Sequence, residues 1–525
     1  MNAIAKIISL IMVSLLAGCA MTPLVPQNPE ALKFTHGFVF SPKVQSSLSD
    51  VSEVQLRSQE DGSLYTLQQS DQLCGGFGLW LPAGNYELVE MFGDSLRKHS
   101  YPPIKVRAGS FTDIGGLIWV GVGQDKRVLL SIHHPELDLQ VKAVEEKQAL
   151  YLLDHRVEVW KPSSVASPVL IPHEISNQGV VIDLMLEHGR KIGMSGFNKQ
   201  LIDMGDSEEF LAAAKRTFPP ITHSGVNGLH GEQYFGAELG QIRVRDMNGS
   251  WSSLDTGTLD SITAIAIENQ TVVAATNQGK IFKKNNKQWK NVAVLPEKIQ
   301  ILGLTHTSEG WLILAGKVIS SSYSEFSALK DMSIYQADEG FSGLIQIKKI
   351  PIDSELAIFR PAVKYVNGKY FVNGLNDLHV FDVRQGSWSL AGPGHEITSL
   401  NYDKGSNVFT AYKMQGIFSK LSISTDNGKS WVPTQSPGVT VQDIIFTSPS
   451  HAITVGIDMG LLSTSYELSQ YESSDKKSTL ISKSSPGVCK KIVSDEDMHL
   501  FFCISDNGSI LRFDEQKMVP EFTLN

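Results

Sequence analysis

The chain has 525 residues, 42% of them hydrophobic, and a formal net charge of −9. That balance argues against nucleic acid as a partner, because neutralising phosphates takes clustered Lys and Arg, and against electrostatic attachment to anionic lipid. The length suggests two to four domains, or one large repeat array beside a smaller unit, with ample chain for a sizeable core.

The first element in chain order is a leader. Lys6 supplies a small positive region and Ile7 to Leu16 an apolar one. The run is shorter than the ~20 residues that span a bilayer, so it reads as a cleaved secretory signal. It ends in Leu16-Ala17-Gly18-Cys19, which resembles the lipobox of bacterial lipoproteins. The resemblance implies removal of residues 1–18 and acylation of Cys19. Two acyl chains already anchor a protein stably, so the family's three imply permanent attachment to the bilayer. Ala20, standing where Asp would retain the protein at the inner membrane, implies transfer to the outer membrane. Residues 19–33 carry three prolines and no periodic apolar pattern. They read as an extended tether, with a packed edge segment as the alternative.

Residues 34–160 read as strands. The runs FTHGFVF, SEVQLRS, FGLWLP, NYELVEMF, IKVRA, LIWVGVG, RVLLSI and LDLQVKA are apolar or alternating and are separated by turn formers. Such a series predicts a compact β-sandwich. Within it, Leu79 to Met91 and Val106 to Leu117 resemble transthyretin-like and carboxypeptidase-regulatory-like sandwiches, in which Pro-x-Gly-x-Tyr (here Pro82, Gly84 and Tyr86) makes a tight turn that buries the ring. Residues 161–220 read as a connector with a helix from Ser207, capped by Asp206 or Ser207, helped by Glu209 and stopped by Pro219-Pro220. Val180 to Gly193 offers a second helix or none.

Residues 221–525 carry a repeat. Ser424-Thr425-Asp426-Asn427-Gly428-Lys429-Ser430-Trp431 fits S-x-D-x-G-x-x-W. An Asp carboxylate can accept from turn N–H groups, a Gly can take positive φ, and a Trp can return to the sheet. The segment resembles the Asp-box of bacterial-neuraminidase-type repeats. That likeness implies a structural hairpin between the outer strands of a propeller blade, built on Ser424, Asp426, Gly428 and Trp431. Weaker echoes end at Trp251, Trp289 and Trp388, and Ser505 to Gly508 keeps the turn without the Trp. The tryptophans are spaced by one or two blades of ~40–50 residues. The fold expected is therefore mostly β: an N-terminal β-sandwich, a short helical connector and a C-terminal β-propeller of about seven blades, six to eight being open.

Four cysteines are present, Cys19, Cys74, Cys489 and Cys503. Export favours disulfides, and a hairpin between Cys489 and Cys503 would oppose them, giving a disulfide or, alternatively, two buried thiols. Cys74 is then expected to be a small buried apolar residue.

Catalytic patterns are thin. Asp-box sialidases resemble one another in an arginine triad, with the first arginine in an F/Y-R-I-P motif. Here Arg360 sits beside Phe359 and Pro361 without the Ile, and the other arginines after residue 220 are Arg243, Arg245, Arg384 and Arg512. Glu339 and Glu355 are acidic, but sequence does not pair them as a glycosidase needs. His133-His134-Pro135-Glu136 lacks metal-ligand spacing and reads as a solvated turn. Gly121 to Lys126 lacks the third glycine of a dinucleotide loop. No metal and no cofactor are expected, and no enzyme.

The function expected is a lipid-anchored outer-membrane binding or scaffold protein, its body facing the periplasm or the cell exterior. Its propeller would engage an envelope protein complex in assembly or secretion. In plan it also resembles the lipoprotein subunit of the β-barrel assembly machinery. The alternative is a glycan-binding module or a sialidase-like glycoside hydrolase.

Overall fold

A computed structural model describes residues 29–44, 53–91, 94–95, 102–122, 126–154, 156–161, 170–172, 219, 221–228, 230–285, 288–296, 299–320, 328–352, 361–413, 418–437, 441–459, 464–475, 477–483, 489–495, 500–505, 510–513 and 518–522. The leader, Cys19, the tether up to residue 28, Arg360, Glu355 and both connector helices expected from sequence lie outside these residues. Among the described residues no helix is long and apolar enough to cross a membrane. The chain divides into two compact units, one drawn from residues 1–44, 51–119 and 129–171, the other from 45–50, 120–128 and 172–525.

The N-terminal unit contains β1 (His36–Ser41), β2 (Val54–Ser58), β3 (Leu64–Gln69), β4 (Phe77–Pro82), β5 (Gly84–Met91), β6 (Asp94–Ser95), β7 (Ile104–Val106), β8 (Phe111–Asp113) and β11 (Val157–Val159), and the greater part of β9 (Gly116–Val122), β10 (Lys126–Ile132) and β12 (Leu170–Pro172). Nine strands follow one hydrogen-bonded path, β11-β8-β1-β4-β3-β2-β5-β6 with β7 on β5, while β12, β10 and β9 form a separate sheet. The path bends at β3, whose Leu64–Leu67 pair with β2 and whose Gln68–Gln69 pair with β4. Val39 and Leu81 from one half and Leu56, Tyr86 and Leu88 from the other share a core, a sandwich-like arrangement. At the Pro82–Tyr86 corner the buried Tyr86 hydroxyl donates to the Pro82 carbonyl at 2.6 Å.

Two sequence expectations fail here. Leu137 to Ala143 is not a strand but part of a helix, Pro135–Gln148. The alternation Leu137, Leu139, Val141 suggested period two. The spacing that decides is Leu137, Val141, Val144 and Gln148, all buried on one face, with Leu139 71% exposed. This helix covers Phe38, Phe40, Trp80 and Phe111, so β1 is buried on both faces. The His133–Glu136 segment is likewise no solvated turn. His134 N-caps the helix by accepting from the Glu136 N–H at 3.2 Å, and Pro135 occupies the first turn, where a missing N–H costs nothing. His133 lies between the Asp113 carboxylate (Nδ1 to Oδ2, 3.3 Å) and the Trp160 carbonyl (Nε2 to O, 2.9 Å). The Asp113 hydrogen bond outweighs burial and holds the imidazole above its ordinary value.

Cys74 is corrected as well: it is exposed and free. It closes a single 3-10 turn with φ of 54°, donating its N–H to the Asp71 carbonyl.

The second unit is a seven-bladed β-propeller. Each blade is a four-stranded antiparallel meander of consecutive strands, starting at Ile221, Ile262, Gln300, Val363, Ser399, Val441 and Cys489. The first strand of each blade lies beside that of the next, and the seventh returns to the first. Strand sequence explains the ring. In Gly310–Ser320 of blade 3, Trp311, Ile313 and Ala315 pack against blade 2, while Leu312 and Leu314 pack against blade 4. In Thr271–Thr276 of blade 2, Val273 and Ala275 face blade 3, and Val272 and Ala274 face blade 1. A strand apolar on both faces needs a neighbour on both sides.

Among the described residues no strand crosses the seam between blades 7 and 1, so side-chain contacts close the ring. Val493, Phe502, Ile504 and Ile510 of blade 7 meet Ile221, Phe235 and Ala237 of blade 1. Glu521 of blade 7 accepts from Arg245 of blade 1 at 2.9 Å and also from Arg512, and the Arg245 guanidinium lies 5.4 Å from the Phe502 ring centroid. Burial pushes the Glu521 carboxyl up, but the two arginine hydrogen bonds win and hold it below its ordinary value. Breaking a largely buried pair costs ~3–5 kcal/mol. Glu521→Ala is therefore expected to lower the urea midpoint by a loss of that order. An unchanged midpoint would show that the apolar seam closes the ring unaided.

Candidate functional site

The hairpins joining strands one to two and strands three to four of each blade emerge on one face of the propeller. Four blades build the third-to-fourth-strand hairpin with the same chemistry. Asp246 Oδ1 accepts from the Asn248 and Ser250 N–H groups at 2.9 and 2.8 Å. Asp338 Oδ1 accepts from Gly340 and Ser342 at 3.0 and 2.8 Å. Asp382 Oδ1 accepts from Arg384 and Gln385, both at 3.1 Å. Sequence reading found three of these positions through a nearby Trp. It missed Asp338, where no Trp follows and Phe341 stacks on Trp311 instead, with ring centroids 4.8 Å apart.

The Ser424–Trp431 turn is the fullest version. Asp426 Oδ1 accepts from the Ser424 hydroxyl at 2.8 Å and from the Lys429 and Ser430 N–H groups at 3.0 and 2.9 Å, while Oδ2 accepts from the Ser430 hydroxyl at 2.6 Å. Ser424 in turn accepts from the Gly428 N–H at 2.9 Å. The Ser430 bonds, followed by that from Ser424, bring the Asp426 carboxyl down to about 2. Gly428 has φ of 75°, and a Cβ there would lie 2.9 Å from Cε1 of Phe371 in blade 4. Trp431 packs on the cluster shared by blades 4 and 5, edge-on to Phe409. Asn367 of blade 4 donates to the Asn427 side chain at 3.1 Å. The turn thus joins two blades as well as two strands.

On the same face, blades 2 and 3 bring together residues that no sequence spacing marks. Glu268 ends the first strand of blade 2, His306 lies near the end of the first strand of blade 3, and Glu339 lies in the following outer turn of blade 3. His306 Nε2 is 3.0 Å from both Glu339 oxygens and 3.5 Å from Glu268 Oε1. Glu268 Oε2 accepts from Lys283 Nζ at 2.8 Å. The His306 ring rests on Trp311 with centroids 5.0 Å apart. The Glu268, His306 and Glu339 side chains are 10%, 31% and 57% exposed, a gradient from floor to rim. Burial pushes the Glu268 carboxyl up, but the hydrogen bond and the charge of Lys283 hold it below its ordinary value. Glu268, His306 and Glu339 can present ligand atoms within 4.8 Å of one another.

No protein-family model matches the chain, and no curated relative matches it. Among solved structures, the crystal structure of Saccharomyces cerevisiae Sqt1 aligns with 57% of this chain and 84% of that one, at 14% identity and a TM-score of 0.39. A likeness of that size carries no argument about site or partner.

The remaining sequence candidates fall apart from this cluster. Arg245 and Arg512 are engaged by Glu521 at the seam, and Arg243 is buried against Ser253. Cys489 and Cys503 lie on adjacent antiparallel strands of blade 7. The register sets Cys489 against Ser505 and Cys503 against Ile492, so the two are diagonal across the hairpin, not directly opposed.

The Asp426 turn has a pH signature. Its lowered carboxyl means that its contribution to stability is complete above the ordinary carboxylate value and is lost as pH falls through about 2. Asp426→Asn is expected to unfold at lower denaturant than the parent near neutrality, with the difference closing in strong acid. A gap that persists at the lowest pH would assign the effect to packing. Gly428→Ala should cost ~1–2 kcal/mol for the left-handed backbone alone, more if Phe371 cannot yield.

Proposed function

We propose that this chain is a lipid-anchored outer-membrane scaffold whose propeller engages an envelope protein complex in assembly or secretion. The observation that carries the reading is a closed seven-bladed ring, a platform that presents hairpins on one face, on a chain whose Leu16-Ala17-Gly18-Cys19 has the form of a lipobox. Fold alone does not fix function; the argument is about tethering. Acyl chains on Cys19 would restrict the platform to one leaflet, which raises the effective concentration of membrane-bound partners without any new contact. Export would also permit a Cys489–Cys503 disulfide in the last blade, where the two cysteines lie on paired strands and a bulge between Cys489 and Lys491 breaks the regular diagonal spacing.

The test is palmitate labelling and crosslinking in intact cells of the host, with Cys19→Ala as the unanchored control. The expected outcome is label on the parent only, with one defined envelope complex recovered from the outer-membrane fraction and lost in the control. Absence of label would remove the anchor from the reading. Label without a defined complex would remove the scaffold and favour a glycan ligand, to be sought on glycan arrays. Peptide mapping without reductant should recover Cys489 and Cys503 in one linked fragment.

A further inference from the structure

We propose that Glu268, His306 and Glu339 form a binding site for a first-row divalent cation of the zinc class, bridging blades 2 and 3 on the hairpin face. The argument starts from donor chemistry. One imidazole and two carboxylates are ligands that zinc and its neighbours accept, whereas an imidazole is a poor donor for calcium or magnesium. Geometry comes next. Two ligands ~2.0–2.1 Å from a tetrahedral ion lie about 3.3 Å apart. The His306 Nε2 separations of 3.0 Å from Glu339 and 3.5 Å from Glu268 bracket that spacing.

The surroundings suit the role. Glu268 offers Oε1 to the site while Lys283 holds its Oε2 at 2.8 Å, the outer-shell support that orients a ligating carboxylate. Trp311 under the His306 ring limits its rotation. Ligation through Nε2 takes the imidazole in its neutral form, and beside it two carboxylates and one ammonium leave a net negative charge that favours a divalent cation. Three protein ligands leave a fourth position, and the exposed Glu339 side places it toward solvent, open to water or to a donor atom of a bound partner. The ion needs the Nε2 lone pair, so binding displaces any proton there and weakens in acid. Without the ion, the same groups form a hydrogen-bonded ion network, which is the competing account.

The experiment is calorimetric titration of the chelator-stripped full mature chain with zinc chloride, alongside cobalt chloride absorption and thermal melting. Expected are one more zinc equivalent in the parent than in His306→Gln, tetrahedral-type cobalt bands lost in that variant, and a zinc-dependent rise in melting temperature confined to the parent. Gln can still donate to Glu339, so the variant keeps a hydrogen bond while losing the ligand. Glu339→Gln, in an exposed turn, guards against misfolding at His306 and should weaken zinc binding by about tenfold or more. Equal stoichiometry and affinity in the parent and both variants, or no zinc binding by the parent, would overturn the proposal in favour of the ion network.

Discussion

The second strand of each propeller blade carries apolar or aromatic residues on both faces, and that single constraint organises the second unit. A lone four-stranded sheet of this kind would expose two apolar faces. Stacking a second blade covers one face of each but still leaves two exposed, one at each end of the stack. Only a closed ring has no end. Each fully buried Leu, Ile or Phe contributes roughly 1.5–3 kcal/mol, so an open seam would forfeit several such side chains at once. Because every blade here is made of its own four consecutive strands, no shared sheet fastens the last blade to the first. The blade 7–blade 1 interface must therefore be as well packed as the other six, and its apolar cluster is reinforced by Glu521 between two arginines.

Polar groups near the axis serve the same end. Thr222 and Ser224 donate to the Ile262 carbonyl, Thr263 to the Ile301 carbonyl and Asn401 to the Ile444 carbonyl. Asp443 accepts from the Ile492 N–H. Each bond runs between the first strands of neighbouring blades. First-strand backbone groups would otherwise face an unpaired edge, and an unsatisfied buried carbonyl costs more than the bond returns. Polar first-strand residues that break the apolar pattern in sequence thus have a definite structural use, and they hold the blades in register as a rigid set.

The legible part of the fold was what local pattern controls. Short apolar runs punctuated by Gly, Asn and Asp marked the strands, and the tryptophans at 251, 289, 388 and 431 marked blade spacing because each sits on the outer strand or its turn. The errors have physical causes. Leu137 to Val141 satisfies period two, whereas Leu137, Val141, Val144 and Gln148 keep the helical period, so only the longer window, with His134 and Pro135 at its start, identifies the helix. Asp338 escaped because the aromatic partner of its turn is Phe341. Cys74 looked like core by residue type, yet it closes a single 3-10 turn and is exposed. Glu268, His306 and Glu339 come from three separated segments, and nothing but ring assembly brings them together.

That last point extends beyond one cluster. In a propeller, the first-strand ends and outer turns of adjacent blades converge on one face, so residues far apart in sequence become neighbours at every blade junction. At two other junctions the convergence is used for structure: the Asp426 turn reaches Asn367 and Phe371 of the preceding blade, and Arg245 reaches Glu521. In those cases each named acceptor meets at least one donor. At the blade 2–blade 3 junction one imidazole nitrogen faces three carboxylate oxygens. It can satisfy only one of them with a single proton. An excess of acceptors around one donor is the arrangement a cation resolves and an ordinary hydrogen-bond network does not, and this separates the Glu268–His306–Glu339 junction from the others.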